Sequence, residues 1–329
     1  MSNKTSIITT INDLQDTFVS KFLDDGYKCI IVGDKKTNAG SDANIPGVTY
    51  IPAECSTFSD LSEALPFNHY CRKNLGYLHA IQGGVKTILD TDDDNFPISN
   101  IYDWRSLNQS VASSSDIPNI LKHFSTKHIW SRGYPLELVN DDIDTIIHCA
   151  NEDEINRVGV IQSLVNGDPD VDAIFRLTSR EFNRDFTFDD SKCIIMSPGT
   201  YSQGNTQSTL WINPVIFHLL YIPVTVSFRF CDILKMYVAQ RCMWEYGLNF
   251  AVTSPFFNQS RNAHDYMKDL ESETSMYNCL LRLLRDILPN VKLRGDVDDL
   301  VRVYECLYKN GIVTSQEIDT VKLYIKCIS

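Results

Sequence analysis

The sequence predicts an α/β fold, with a mixed sheet flanked by helices and a helical appendage at the C-terminal end. Short apolar runs typical of buried strands alternate with amphipathic helical stretches along the first part of the chain. The earliest of these units has the spacing of a β-α-β crossover, which joins parallel strands. From residue 266 onward the pattern is helical. We therefore assign 1–265 to an α/β domain and 266–329 to a C-terminal helical region.

The first β-α-β unit carries polar side chains at the ends of its strands. Residues 6–11 form the first predicted strand, and residues 27–32 form the second, which is predicted to be fully buried. Thr10, Asp34 and Lys35 then lie at strand ends. Open α/β sheets bind ligands at the carboxyl ends of their strands, so we expect these three residues to hold a nucleoside.

An acidic run follows the short predicted strand 87–89. It contains the four carboxylates Asp90, Asp92, Asp93 and Asp94. Crowded acids repel one another unless a cation lies among them, and such oxygen ligands suit Mg²⁺ or Mn²⁺. These ions take further ligands from water and substrate phosphates. The run therefore predicts a metal-bridged diphosphate site, with a solvated acidic loop as the alternative.

Two cations precede this run near the start of a predicted helix over 68–82. Arg72 and Lys73 enter the fold just before the acidic strand end. Cations in this position would neutralise a diphosphate. The alternative is an ordinary solvated helix face.

Four later residues are candidates for a role in catalysis or substrate binding. Arg132 lies in a Gly- and Pro-containing turn and is either a structural clamp or a substrate contact. Asp232 lies at the start of a predicted helix over 233–246. It is either the N-cap of that helix or a carboxylate that acts as a catalytic base or an acceptor anchor. Arg261 and His264 are grouped before the helix that begins at residue 266, and a lone histidine is more often structural than a ligand.

Composition excludes several classes of protein. The formal net charge of -12 argues against nonspecific binding to nucleic acid or anionic lipid. The ten cysteines are scattered without a CxxC pair, which is typical of buried free thiols in a reducing compartment. No signal peptide is apparent, and the most hydrophobic stretch, 211–230, contains Pro, His and Arg. We therefore expect no membrane span and a cytoplasmic location.

The order of several motifs resembles that of a known group of proteins. The stretches 72–78, 90–95, 132–136, 224–246 and 261–265 occur in the same order in STELLO-type glycosyltransferase-like proteins. The triple-Asp and Arg-Gly-Tyr-Pro elements are also similar to those of plant reversibly glycosylated polypeptides, which are UDP-arabinopyranose mutases. The resemblance covers roughly residues 5 to 270. We expect one departure from these proteins, the lack of the membrane anchor that is typical of STELLO proteins.

The resemblance implies a GT-A fold, a UDP-sugar donor and Mn²⁺ or Mg²⁺ as cofactor. Asp92 and Asp94 become metal and diphosphate ligands, and Asp93 contacts the ribose or the sugar. Arg132 falls on the motif whose arginine becomes glycosylated in the mutases. Asp232 matches an acidic residue of the acceptor-side helix. His264 matches an Asn-x-His-Asp signature.

The leading hypothesis is a metal-dependent glycosyltransferase in which Asp232 is the base or acceptor anchor. Arg72, Lys73 and Arg261 would compensate the charge of the donor. The alternative enzymatic function is that of a nucleotide-sugar mutase. The nonenzymatic alternative is a catalytically inactive interaction scaffold that keeps the fold. The acceptor, a glycan, protein or small molecule, is open. The helical region after residue 270 could form a homo-oligomer, cover the site or recruit a partner.

Overall fold

The computed structural model describes residues 3–10, 16–35, 37, 45–179, 185–261 and 265–328. Within these residues the strands form one eleven-stranded mixed sheet. The strands are β1 (Lys4–Thr9), β2 (Lys28–Val32), β3 (Val48–Ile51), β4 (Thr87–Asp92), β5 (Asn95–Pro97), β6 (Asn108–Ser113), β7 (Ile146–Cys149), β8 (Val158–Gly167), β9 (Lys192–Met196), β10 (Ser208–Trp211) and β11 (Asn249–Gln259). The helices are α1 (Asp16–Asp24), α2 (Ser59–Ala64), α3 (Lys73–Gln82), α4 (Glu152–Asn156), α5 (Ala173–Thr178), α6 (Cys231–Met243), α7 (Tyr266–Tyr277), α8 (Leu280–Arg282), α9 (Asp299–Lys309) and α10 (Ser315–Ile328).

The strand directions bring many carboxyl ends to one edge of the sheet. The order is β3-β2-β1-β4-β10-β8-β11-β9-β6-β7, and β5 pairs with β11. β1 is parallel to β2 and β4, while β10 is antiparallel to both β4 and β8. β11 is parallel to β8. β2, β1, β4, β8 and β11 therefore all end at the same edge.

Two apolar layers cover the sheet because successive strand residues point to opposite faces. Ile7 of β1 lies in the core beneath α3, α6 and the C-terminal helices, whereas Ile8 lies in the core beneath α1. Ile88 and Leu89 of β4 divide in the same way. The predicted mixed sheet flanked by helices is confirmed, and it is consistent with a GT-A-like fold.

Helix α3 packs very closely on the sheet. A Cβ atom at Gly76 would lie only 2.6 Å from Val32 Cγ2 and 2.8 Å from Ile7 Cγ2. A glycine at this position lets the helix backbone approach β1 and β2. Because α3 crosses back between parallel strands, its first residues lie over the edge where β1 and β4 end.

The C-terminal helices share the core of the preceding domain. Leu283, Val303 and Tyr324 belong to the same buried cluster as Ile7. In α10, the buried carboxylate of Glu317 accepts hydrogen bonds from the backbone of residues 224 and 225. The boundary at 265/266 stays a prediction, while the packing shows that the helices complete the core.

Two predicted helices differ from the structure at their ends. The helix predicted over 68–82 begins at Lys73, after a 3₁₀ turn at Tyr70–Arg72 whose first N–H groups are capped by the His69 side chain. The helix predicted over 266–288 ends at Tyr277, and α8 and a π-turn at Leu283–Ile287 follow. Periodicity does not reveal such interruptions, because apolar residues on both sides of the break still reach the core.

Candidate active site

A cleft of about 490 Å³ opens at the edge where β2, β1, β4, β8 and β11 end. Topology alone explains its position, since loops that follow parallel strands converge there. Nine of the predicted site residues line it: Thr10, Asp34, Arg72, Asp92, Asp93, Asp94, Arg132, Asp232 and Arg261.

Asp92 is the last residue of β4, paired in register with Thr9 of β1. Its Oδ1 atom accepts from Lys73 Nζ at 3.0 Å, from Thr9 Oγ1 at 3.2 Å and from the Tyr70 hydroxyl. Among the described residues, Oδ2 has no hydrogen-bond partner. Burial raises the pKa of Asp92, and Lys73 opposes that rise. One oxygen of this carboxylate is therefore fixed and the other is available to a ligand.

Asp93 and Asp94 follow in the turn after β4. Thr10 Oγ1 donates to Asp93 Oδ2 at 2.6 Å. Asp94 accepts from the Asn95 amide at 2.7 Å and from the Gln259 amide at 3.0 Å. Burial, followed by the charge of Asp92, raises the pKa of Asp94 to about 6.

Asp90 belongs to the core rather than to the cleft. β4 is longer than predicted, so Asp90 lies inside the strand and faces the helices. Lys73 Nζ lies 2.7 Å and Lys235 Nζ lies 2.8 Å from its carboxylate, and the Tyr77 hydroxyl donates at 2.5 Å. The prediction that all four acids lie beyond the strand end was wrong for Asp90, because β1 and β10 extend the pairing past Leu89.

Arg72 and Lys73 are buried, so the alternative of a solvated helix face was wrong. Arg72 lines the cleft, but its guanidinium donates to the backbone carbonyls of Ser62 and Leu65, each at 3.2 Å. Lys73 lies behind Asp92 and is not a cleft-lining residue. The prediction that the Lys73 ammonium group faces a bound diphosphate was wrong, because that group is paired with Asp90 and Asp92.

Arg132 uses all five N–H groups of its guanidinium on protein acceptors. Nε and Nη2 donate to the two oxygens of Asp170, at 3.0 and 2.8 Å. Nη1 and Nη2 donate to the two oxygens of Asp232, at 2.8 and 2.7 Å. Nη1 also donates to the carbonyl of Arg229 at 2.5 Å. Of the two roles predicted for Arg132, this arrangement favours the structural clamp.

Asp232 is not the N-cap of its helix. α6 begins at Cys231, its N-cap is Phe230, and no side chain caps it. Asp232 lies in the first turn and is held by Arg132 instead. The sequence could not show this pairing, because the two residues are separated by 100 positions.

A second set of charges continues from this clamp into the C-terminal region. Arg229 donates to Glu273 Oε1 of α7 from Nε at 2.8 Å and from Nη2 at 2.6 Å. On the other side, Arg261 Nη2 donates to Asp170 at 3.2 Å. Arg261 Nη1 is buried and has no hydrogen-bond partner among the residues that the structure describes. With Asp269, which lies 3.9 Å from Arg229 Nε, this set contains three arginines and four carboxylates.

Two of the remaining predicted residues, which we expect to hold a nucleoside, follow β2 near the cleft. Asp34 lines it and accepts from the backbone N–H of Lys35 at 2.7 Å. The Lys35 ammonium lies 3.8 Å from the centre of the Phe67 ring and is not among the cleft-lining atoms. His264 lies outside the described residues.

Sequence reasoning missed an aromatic wall and one carboxylate. Phe228 lines the cleft with 51% of its surface exposed, and its ring packs edge-on against Tyr70. Asp170 follows the end of β8 and lines the cleft, just as Asp92 lies at the end of β4. The expectation that acidic residues at strand ends bind a ligand would therefore have identified Asp170 as well. No local sequence pattern predicts that Phe228 lines the cleft, because its position depends on tertiary packing.

The oxygen donors of the cleft suit a hard cation. Within the described residues no group of three or more His, Cys, Asp or Glu side chains is arranged to hold a metal by itself. Mg²⁺ and Mn²⁺ need only one or two carboxylates when phosphates and water complete the shell. The unpartnered Oδ2 of Asp92 beside Asp94 fits this requirement.

Comparison with known proteins gives two matches from Arabidopsis thaliana. Probable glycosyltransferase STELLO2 is 26% identical over 285 residues, covering 80% of this chain and 36% of that protein. Probable glycosyltransferase STELLO1 is 28% identical over 258 residues, covering 70% of this chain and 32% of that protein. The chain is homologous to the STELLO glycosyltransferase-like proteins.

The chain spans about a third of the length of these STELLO relatives. No family model matches it. The similarity to reversibly glycosylated polypeptides stays a prediction, as does the cytoplasmic location. In the part of the chain that the structure describes, no helix combines the length and apolar character needed to cross a bilayer.

Proposed function

We propose that this chain is a glycosyltransferase that takes a UDP-sugar donor together with Mn²⁺ or Mg²⁺. The observation that carries the proposal is the convergence of Thr10, Asp34 and the acidic run at one sheet edge, with Asp92 Oδ2 unpartnered among the described residues. Both relatives bear names that describe probable glycosyltransferases.

In this proposal the nucleoside lies at the ends of β1 and β2, near Thr10 and Asp34. Phe228 offers an exposed ring in the same cleft. Its neighbours support this placement, since the rings of His69 and Tyr70, which also line the cleft, pack edge-on against Phe228. A flat base gains binding energy by stacking on such a ring.

The diphosphate lies at the acidic run. Asp92 and Asp94 would hold the cation, which when bound neutralises charge on the leaving nucleotide. Arg261 Nη1, which is buried without a partner in the described part of the chain, would donate to a phosphate oxygen. Lys73 fixes Asp92 from behind, so that the carboxylate presents Oδ2.

Transfer joins an acceptor oxygen to the anomeric carbon while the bond from that carbon to the diphosphate breaks. UDP leaves with the bonding electrons, and the proton of the acceptor hydroxyl passes to the departing phosphate or to water. Asp232 is better suited to anchor an acceptor than to take this proton, because both of its oxygens accept from Arg132.

The same clamp disfavours the mutase. A mutase that is glycosylated on this arginine needs a free guanidinium nitrogen, and Arg132 has none to spare. Its guanidinium is also buried, which makes it a poor attacking group.

Release of UDP from a panel of UDP-sugars, measured with and without Mn²⁺, tests the proposal. We expect slow metal-dependent release with water as acceptor, lost in Asp92→Asn and retained in the matched surface variant Asp153→Asn. Conversion of UDP-arabinopyranose without release of UDP would favour the mutase instead. Absence of both reactions, with UDP still bound, would favour the scaffold.

A further inference from the structure

The last strand of the sheet presents an open edge. β7 closes the strand order and pairs with β6 on one side, and no described strand pairs with its other side. All four of its residues are exposed. Ile146 is 71% exposed, which is the highest value for a large hydrophobic side chain among the described residues.

This edge lacks the usual protection. Proteins guard open edges with lysine, proline, bulges or a covering segment, because free backbone groups recruit further strands. The sequence of β7 is Ile-Ile-His-Cys, with no lysine or proline. Its pairing with β6 runs in regular register from Ser113↔Ile146 to Ser110↔Cys149, without a bulge. The edge is therefore geometrically able to accept another strand.

Acidic residues flank the strand on both sides. Residues 141–154 contain no lysine or arginine and carry six acids: Asp141, Asp142, Asp144, Glu152, Asp153 and Glu154. Asp142 contacts Lys122 at 3.1 Å and Glu154 contacts His148 at 3.0 Å, in both cases at the surface. The segment that contains the open edge therefore carries an excess of negative charge, part of which Lys122 offsets.

We propose that the β7 edge docks an extended, positively charged segment of a partner protein, which adds to the sheet as a further strand. Backbone hydrogen bonds would supply binding, Ile146 would supply an apolar contact, and lysines or arginines flanking the segment would supply selectivity. A second copy of this chain is the wrong occupant, because pairing β7 with itself brings two sets of six acids together. The surface is separate from the cleft and does not depend on the proposed activity.

A fluorescein-labelled peptide in which valine and threonine alternate between paired lysines tests this docking. Its affinity for the full chain is measured by fluorescence anisotropy. The matched variants are Ile146→Lys in β7 and Thr49→Lys in β3, the strand at the opposite edge of the sheet. Two control peptides carry glutamates in place of the lysines, or alternate backbone N-methyl groups that block strand pairing.

We expect binding that weakens at least about tenfold in Ile146→Lys, equivalent to ~1.4 kcal/mol, and stays unchanged in Thr49→Lys. Both control peptides should bind more weakly, and hydrogen exchange should slow at the β7 amides when the peptide is bound. Equal binding of the N-methylated peptide would overturn strand addition in favour of simple charge attraction. Absence of binding, or dimerisation of the chain through β7, would overturn the proposal.

Discussion

Arg132 and Asp232 form a two-point ion pair, with Nη1–Oδ1 and Nη2–Oδ2 distances of 2.8 and 2.7 Å. The same guanidinium holds Asp170 through its other edge. One side chain therefore fixes the loop after β8 against the first turn of α6. Arg132, Asp170 and Asp232 all line the cleft, so this clamp forms part of its wall.

Removing the clamp should destabilise the fold. Arg132→Gln leaves two buried carboxylates without their main partner, so we expect a loss of about 3–5 kcal/mol in the free energy of unfolding. The nearby charges of Arg132 and Arg261 hold the pKa of Asp170 well below its usual range, against the effect of burial. Urea denaturation measures the change, with the exposed Arg105→Gln as control. A loss below about 0.5 kcal/mol would show that the network does not support the fold.

Asp94 makes cation binding depend on pH near 6. Its folded-state pKa of about 6 lies above the ordinary value, so the metal-free protein holds a proton there at lower pH. A cation must displace this proton. We expect Mn²⁺ affinity to fall up to about tenfold per pH unit below 6 and to level off above it. Calorimetry across this range checks the slope, and Asp94→Asn should flatten it.

The same shift affects stability in the metal-free protein. A carboxyl group whose folded-state pKa is raised binds protons more tightly in the folded state, so its contribution to stability decreases as pH rises from about 4 to about 6. Asp94→Asn should remove this component. Thermal unfolding without metal, compared between pH 4.5 and pH 7 in both proteins, isolates the difference. An unchanged difference would exclude Asp94 as its source.

The buried pair of Lys235 and Asp90 should be costly to break on one side. Lys235→Met leaves Lys73 as the only cation paired with Asp90, at a site with no solvent exposure. We expect a loss of roughly 3 kcal/mol in the free energy of unfolding. Combining it with Asp90→Asn should recover most of that loss, because the uncompensated charge disappears. Denaturant unfolding of the two single variants and the double variant completes the cycle. Additive losses would mean that the two residues are not coupled.

Phe228 should matter for ligand binding more than for folding. Because half of its surface is exposed, Phe228→Ala should change the free energy of unfolding by less than about 1 kcal/mol. Loss of a stacking surface should weaken UDP binding about tenfold. Calorimetry with UDP measures this, and Ile98→Ala, another exposed apolar truncation, is the control. Unchanged UDP affinity would place the nucleoside elsewhere in the cleft.

The sequence was sufficient for the fold class and for part of the cleft. Thr10, Asp34 and Asp92 could be placed because strand ends follow from apolar runs, and parallel strands end together. The pairing of Arg132 with Asp170 and Asp232 could not be predicted, since it depends on the relative placement of three distant elements. The burial of Lys73 was hidden for a related reason, because its partner Asp90 lies inside a strand that was predicted to end before it.

The most direct test of the account is a calorimetric titration of UDP into the full chain with and without Mn²⁺. We expect binding that requires the metal and that weakens at least about tenfold in Asp92→Asn, while Asp153→Asn behaves like the unchanged protein. UDP binding of equal strength without metal and in Asp92→Asn would contradict the assigned cation site. No binding of UDP under any condition would contradict the proposed function itself.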